Sequence, residues 1–346
     1  MNRPVATAAL LAAIIFFPSL TMAQVKRITL DNGVIQAEIT PDIGGRLLGF
    51  SLHNEANLLK VGEAVIGHPK PAVHPDADYQ PYFGHEVWAG PQSQWWVHQT
   101  LNARRAADRT IWPPDPYTTL ATSKILKQTE HELLIQGLPS PISGLMFSKH
   151  FSLLKNKKNT LLLEVIAENI RSENIAWDIW FNTRVAADSQ VYIPVASNTP
   201  IRNQAFDSEE SKLRYQFNDG ILSLDTSTLP QGQSIRRGKI FIQPSYGWLA
   251  VYRGRQLFII QFEHQPAAAI HPEQGQIEVY GHFDINALDQ GLLELEVHAP
   301  YKELAKSQSM RAHEQWTLIA YSGEASAEAQ LEFLRSQAAA LGLGGL

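Results

Sequence analysis

Residues 145–169 read LMFSKHFSLLKNKKNTLLLEVIAEN. Two runs rich in Leu, Val, Ile and Phe, Met146–Lys155 and Thr160–Glu168, flank the polar Asn156-Lys157-Lys158-Asn159, which is the pattern of a β-hairpin. Outward from this hairpin the same pattern recurs. Short apolar runs split by Asp-Asn-Gly or polar turns predict strands at Ile28–Leu30, Val34–Thr40, Arg46–Leu52, Ser123–Leu126 and Glu132–Gln136 on the N-terminal side. On the other side they fall at Ala176–Val185, Val191–Pro194, Lys239–Gln243, Trp248–Tyr252, Gln256–His264, Gln276–His282, Leu292–His298 and Glu314–Ser322. A substantial helix is predicted only from about Ser326 onward, where Leu331, Leu334, Ala338 and Leu341 recur at helical spacing. Two long stretches, Val61–Pro116 and Thr199–Lys239, have no regular period, and loops of that length inside a compact domain are usually functional or disordered. No repeat of fixed period and no clean linker cuts the chain. The expected fold is all-β, a large antiparallel sandwich forming one domain over residues 24–346 with the helix as a C-terminal appendage.

The first 23 residues have the form of a secretory signal peptide. Arg3 precedes a 13-residue apolar run from Val5 to Phe17, too short to cross a membrane as a helix, and Thr21-Met22-Ala23 suits cleavage after Ala23. The expectation is a periplasmic or secreted protein with no stable membrane anchor after cleavage. The absence of cysteine excludes disulfides, thiolate metal sites and cysteine nucleophiles. A formal charge of −5, becoming −6 once Arg3 is removed, comes without any block of like charges, so nucleic acid and anionic membranes are poor partners. A neutral ligand fits better.

Residues 82–114, YFGHEVWAGPQSQWWVHQTLNARRAADRTIWPP, hold four of the eight tryptophans, Trp88, Trp95, Trp96 and Trp112, among Gly, Pro, His, Gln and Asp. Aromatic faces beside uncharged hydrogen-bonding groups are what grips a polar ring, and carbohydrate is the expected partner. The alternative is a loop that folds back to bury its own tryptophans as a lid. Trp88 and Trp95 are the chosen stacking rings with Gln92 beside them, whereas Trp177, Trp180, Trp248 and Trp316 lie in strand patterns and read as core.

Three stretches together resemble the galactose mutarotase-like (aldose 1-epimerase-like) superfamily. They are residues 28–61, ITLDNGVIQAEITPDIGGRLLGFSLHNEANLLKV; residues 161–185, LLLEVIAENIRSENIAWDIWFNTRV; and residues 292–319, LLELEVHAPYKELAKSQSMRAHEQWTLI. With GHEVWAGPQ and IWPPD, the last is most similar to a bacterial branch known only as a domain of unknown function. The resemblance, over roughly residues 26–322, implies a β-supersandwich with a sugar site on its concave face and, in enzymatic members, mutarotase or epimerase chemistry. The family's Leu-Glu-x-Gln strand, which supplies the base, corresponds to Leu293-Glu294-Leu295-Glu296, so the resemblance makes Glu294 the base and puts Glu296 in the Gln position. Alternation independently turns Glu294, Glu296 and His298 to one face, and these acids could equally be the wet side of an amphipathic strand.

The second half of such a site is absent. The region corresponding to the family's His-x-Tyr-Phe motif reads Ile179-Trp180-Phe181-Asn182-Thr183-Arg184, with no histidine. Opening a hemiacetal ring requires a base for the anomeric hydroxyl and an acid for the ring oxygen. His85 is the first candidate acid, followed by His150, His282 and His298. Arg184 is expected to fork onto sugar hydroxyls or to pair with an acid such as Asp188, and Arg46 to hold the turn that precedes its strand. Glycoside hydrolysis would need a second carboxylate, which Glu86, Asp115 or Asp178 could supply. His68, His74, Asp76 and Asp78 cluster within eleven residues, but prolines between them favour extended solvated backbone, so neither metal nor other cofactor is expected. Three functions remain open: an aldose epimerase or mutarotase, a non-catalytic glycan-binding protein, and an envelope protein whose aromatic segment docks a partner.

Overall fold

The computed structural model describes residues 24–226 and 234–346, so the expected export signal lies outside the described residues. In chain order the first strands are β1 (Ile28–Asp31), β2 (Ile35–Thr40), β3 (Arg46–Leu52), β4 (His85–Gly90), β5 (Lys124–Gln128), β6 (Glu132–Gln136) and β7 (Leu145–Leu153). Next come β8 (Thr160–Asn169), β9 (Ile175–Ala186), β10 (Gln190–Pro194), β11 (Arg202–Ala205), β12 (Arg214–Asn218), β13 (Ile221–Asp225) and β14 (Ile235–Ile242). The last are β15 (Trp248–Arg253), β16 (Gln256–Phe262), β17 (Ile277–Asp284), β18 (Leu292–His298), β19 (Lys302–Leu304) and β20 (Ser309–Ala320). They form two sheets of ten strands. The first runs β1, β2, β3, β4, β9, β18, β17, β14, β11, with β19 paired to β9; the second runs β12, β13, β10, β15, β16, β20, β8, β7, β6, β5. All the strand pairings are antiparallel.

The core lies between the sheets and follows from strand alternation. Ile175, Trp177, Ile179, Phe181 and Val185 of β9, with Leu293, Leu295 and Val297 of β18, share one buried cluster with Phe147, Phe151, Leu163, Val165, Trp316 and Leu318 of the second sheet. Two residues apart on a strand means the same face, so the alternate side chains of β9 and β18 are turned to the outer face of the first sheet.

Local chemistry fixes the turns. Between β1 and β2, Asp31 accepts from Gly33 N and Asn32 from Val34 N and Ile35 N. Before β3, a Cβ on Gly44 would meet Thr119 O at 2.6 Å, and Gly44 itself has φ +74°. A core-facing lysine, Lys149, caps this turn by donating to Gly44 O at 2.7 Å and Gly45 O at 3.1 Å. The C-terminal helix, Ala327–Leu341, is N-capped by Ser326 and ended by the left-handed Gly342. Its Leu331, Leu334 and Ala338 bury against Tyr192, Trp248, Tyr252 and Leu257 on the outside of the second sheet.

Both aperiodic stretches contain strands. In the first, β4 has every residue buried, so no polar alternation betrays it. In the second, β11 and β12 are polar edge strands joined through a short 3-10 turn at Glu209–Ser211. The rest of residues 61–120 is an ordered cover tied by side chains: Trp96 Nε1 donates to Pro113 O, and Arg105 stands over the Trp96 ring while donating to Pro75 O and Ala77 O.

Candidate functional site

On the outer face of the first sheet, four ionic side chains from four strands make a continuous chain. Arg46 Nη2 meets Glu86 Oε2 at 2.5 Å, Glu86 Oε1 meets Arg184 Nη1 at 2.6 Å, and Arg184 Nε meets Glu294 Oε1 at 2.9 Å. Asn182 Nδ2 adds a contact to Glu294 Oε2 at 3.3 Å. Sheet register produces this set, because Glu294 lies opposite Arg184 and Glu86 opposite Asn182. Burial pushes the Glu86 carboxyl upward, but Arg46 and Arg184 outweigh it and hold it at about 2. Arg184 loses hydration by burial and is nonetheless driven further toward its charged form by Glu294 and Glu86. Within the chain only Glu294 reaches solvent, with a side chain 14% exposed against 0–2% for the other three.

Farther along the same face is a second cluster. Lys239 Nζ contacts Glu278 at 2.5 Å and Glu296 at 2.8 Å, and His298 lies between Asp178 at 3.2 Å and Glu278 at 3.5 Å. Burial drives Glu296 toward its protonated form, whereas Glu278 is held ionised against burial by Lys239 and His298. Burial disfavours a charge on His298, but Glu278 and Asp178 prevail and raise it to about 9. Glu278, Glu296 and His298 bring donor atoms within 4.8 Å of one another, a spacing that a metal ion could use. The Lys239 ammonium already stands between the two carboxylates.

Aromatic rings pack around the first cluster. Trp88 packs edge-on to Trp180 at 4.9 Å and to Trp95 at 5.5 Å, with the Arg184 guanidinium 4.9 Å from its centroid. Trp112 lies over Trp88 at 6.1 Å and against Tyr79 at 4.7 Å. Trp88 and Trp95 are 3% exposed, and Trp112 is 43% exposed. Four buried polar atoms of this region, Trp88 Nε1, Trp180 Nε1, Asn182 Oδ1 and Arg184 Nη2, find no hydrogen-bond partner among the described residues. Unpaired buried groups are uncommon and costly.

The residues singled out in the sequence are thus distributed unevenly. Glu294 and Arg184 are bonded to each other, with Trp88 beneath them. Trp95 supports from behind, stacked on Trp180 at 5.8 Å and donating to Ala89 O. Glu296 belongs to the Lys239 cluster. Gln92 donates to Ile111 O and so holds the segment that carries Trp112. His85 is not brought to Glu294: it pairs with Thr183 on the core face, 2.9 Å from its Oγ1, with its ring 4.9 Å from Trp316. Burial, with Lys149, Arg184 and Arg46, holds that imidazole well below its ordinary value. Among the other histidines considered, His150 lies on the second sheet and His298 is sealed. His282 is exposed on Glu294's face; its strand neighbour two residues back, Tyr280, lies opposite Glu294. That makes His282 a diagonal neighbour of Glu294, ~7–8 Å away by sheet geometry. Asp188 pairs with Arg253 and leaves Arg184 to the carboxylates of the sheet.

Tyr79, the exposed Trp112, Tyr280, and Lys239 with Glu278 also stand at this face without being singled out by the sequence. Burial resists ionisation of the Tyr79 phenol, and Glu86 and Glu294 add to the effect while Arg184 and Arg46 oppose it. The available signal was alternation in residues 277–284, which puts Glu278, Tyr280 and His282 on one side.

Residues 25–319 match the family described as a domain of unknown function (DUF4380). No curated protein matches the sequence. Among solved structures, a protein of Synechocystis superposes with TM-score 0.55 at 10% identity, covering 88% of this chain and 100% of the other. A galactose mutarotase related enzyme of Lactobacillus acidophilus gives 0.54 at 8% identity, covering 87% and 100%. A galactose mutarotase-like protein of Clostridium acetobutylicum gives 0.53 at 9% identity, covering 86% and 96%. At these identities the likeness is one of fold.

Proposed function

Starting from the chain's membership in the DUF4380 family, we propose that it is a carbohydrate-binding protein whose ligand sits on the outer face of the first sheet against Glu294. One observation carries this reading. The single carboxylate of the buried ion chain that reaches solvent is bonded to Arg184, whose guanidinium lies over Trp88, the ring against which the exposed Trp112 packs. Glu294 accepts from sugar hydroxyls, Trp112 offers a ring face, and Arg184 fixes the carboxylate. Titration of tryptophan fluorescence with neutral mono- and oligosaccharides tests it. A saturable change is expected in the wild type and not in Glu294→Gln; a flat signal with every glycan contradicts the reading.

The position of His282 favours a second reading, anomer interconversion. Glu294 takes the proton of the anomeric hydroxyl while the bond from the anomeric carbon to the ring oxygen breaks. The ring oxygen receives a proton from the His282 imidazolium, and reclosure on the opposite face of the carbonyl reverses both transfers. Polarimetric anomer exchange tests it with Glu294→Gln and His282→Gln: both variants are expected to return to the uncatalysed rate. Wild type at the uncatalysed rate leaves binding alone.

The leader-like first 23 residues support a location in the periplasm or outside the cell. Cell fractionation checks it, with the chain expected outside the cytoplasm and its N-terminus at Gln24.

A further inference from the structure

Beyond Glu294 the outer face of the first sheet carries a second aromatic pair. Phe206, immediately after the edge strand β11, is 44% exposed and packs edge-on against Tyr280 with centroids 5.6 Å apart. Arg237 fixes the pair, its Nε donating to the Tyr280 hydroxyl at 3.2 Å, its guanidinium 5.7 Å from the Phe206 centroid, and Asp207 at 3.3 Å. Register shows that these rings belong to Glu294's face. Tyr280 lies opposite both Glu294 and Lys239, and Phe206 N donates to Arg237 O beside the Gln204 and Lys239 pair.

The two aromatic pairs therefore flank the exposed carboxylate. Tyr79 and Trp112 stand over β4 on one side, and Phe206 with Tyr280 on the other, toward β11. Phe206 leans on Tyr280 of β17, three strand steps from β4 or roughly 14 Å at ordinary strand spacing, wider than one pyranose ring. A site for one sugar has no use for a ring that distant. Between the pairs, Glu294, Tyr280 and His282 reach solvent beside the half-buried Leu292, a mixture of hydrogen-bonding groups and apolar surface suited to the hydroxyls and C–H faces of sugar residues. Arg237 is matched by Asp207 and Lys239 by Glu278 and Glu296, so these cations are already neutralised and favour a neutral ligand over an acidic chain.

We infer that this face binds an oligosaccharide of neutral sugars laid across the strands, with one ring on Trp112, one on Phe206 and Glu294 between them. The inference rests on the reading of Glu294 as the sugar site and specifies the length of ligand that site takes. Calorimetric titration with gluco-, galacto- and manno-oligosaccharides of one to six residues tests it. Affinity is expected to rise about tenfold or more between the monosaccharide and the tetra- or pentasaccharide of the preferred series. Phe206→Ala removes an exposed ring, and its fold is checked by thermal melting; it is expected to flatten that rise, and Phe206→Trp to restore it. Binding that is measurable for a monosaccharide but independent of length, or a length dependence unchanged in Phe206→Ala, overturns the groove and leaves the Glu294 site standing. No binding at any length removes both.

Discussion

The two ion clusters on the outer face of the first sheet use the same residue types and have different ends. In the Lys239 cluster every charge is closed in by another: His298, Glu278, Glu296 and Asp178 are all buried, and Lys239 lies between two carboxylates. In the Arg46 cluster the chain of charges ends at Glu294, which reaches solvent. Buried ion pairs are weak stabilisers compared with apolar packing, because desolvation cancels most of the attraction, so neither cluster is explained by stability alone. The comparison assigns them different work. The closed cluster holds β14, β17 and β18 together, and the open one presents an oriented carboxylate.

That contrast can be broken at several points. The largest effect is expected at Glu86, whose replacement by Gln leaves two buried guanidinium groups without their shared carboxylate and should cost ~3–5 kcal/mol in denaturant unfolding. A loss below 1 kcal/mol would mean that Arg46 and Arg184 do not depend on it. Next is the closed cluster's response to pH. His298 is raised to about 9 in the fold, so its contribution is complete below the ordinary histidine range and is lost as pH rises through 9. The stability advantage of the wild type over His298→Gln should shrink by ~3 kcal/mol between pH 6.5 and 10, a difference in which the other buried groups titrating in that window, Lys149 and Glu314, cancel. Equal slopes would show that His298 is not charged in the fold.

Smaller effects are expected at the open end. Glu294→Gln removes a partly exposed partner of Arg184 and should change stability by ~0–1 kcal/mol while abolishing the sugar response. A large loss of stability would make Glu294 structural like its neighbours. The smallest shift in stability, within ~0.5 kcal/mol, belongs to Trp112→Ala, an exposed ring whose removal should weaken sugar binding. Unchanged titration curves would turn attention from Trp112 to Tyr79.

How much of this could be read from the chain varied with burial. The hairpin of β7 and β8 was legible because its arms are long, apolar and split by a polar turn, and the face of β18 because Glu294, Glu296 and His298 alternate with Leu293, Leu295 and Val297. β4 was illegible because both its faces are covered, and with no polar parity to read, His85 could not be told from Glu86 as the outward residue. The sequence of the tryptophan-rich segment does not show which ring is open: Trp88 and Trp95 are beneath and Trp112 is on top, a difference set by how residues 61–120 fold over the sheet. Lys239 and Glu278 meet Glu296 only through the register of β14, β17 and β18, which local pattern does not encode.

The most direct test of the central claim is calorimetric titration of the wild type and Glu294→Gln with the same panel of neutral oligosaccharides, both proteins first shown to melt alike. Saturable heat is expected in the wild type and at least a tenfold weaker association in the variant, the loss of a charge-assisted contact of ~1.4 kcal/mol or more. Equal affinities in the two proteins would contradict that claim, because the sugar would then be bound somewhere other than Glu294.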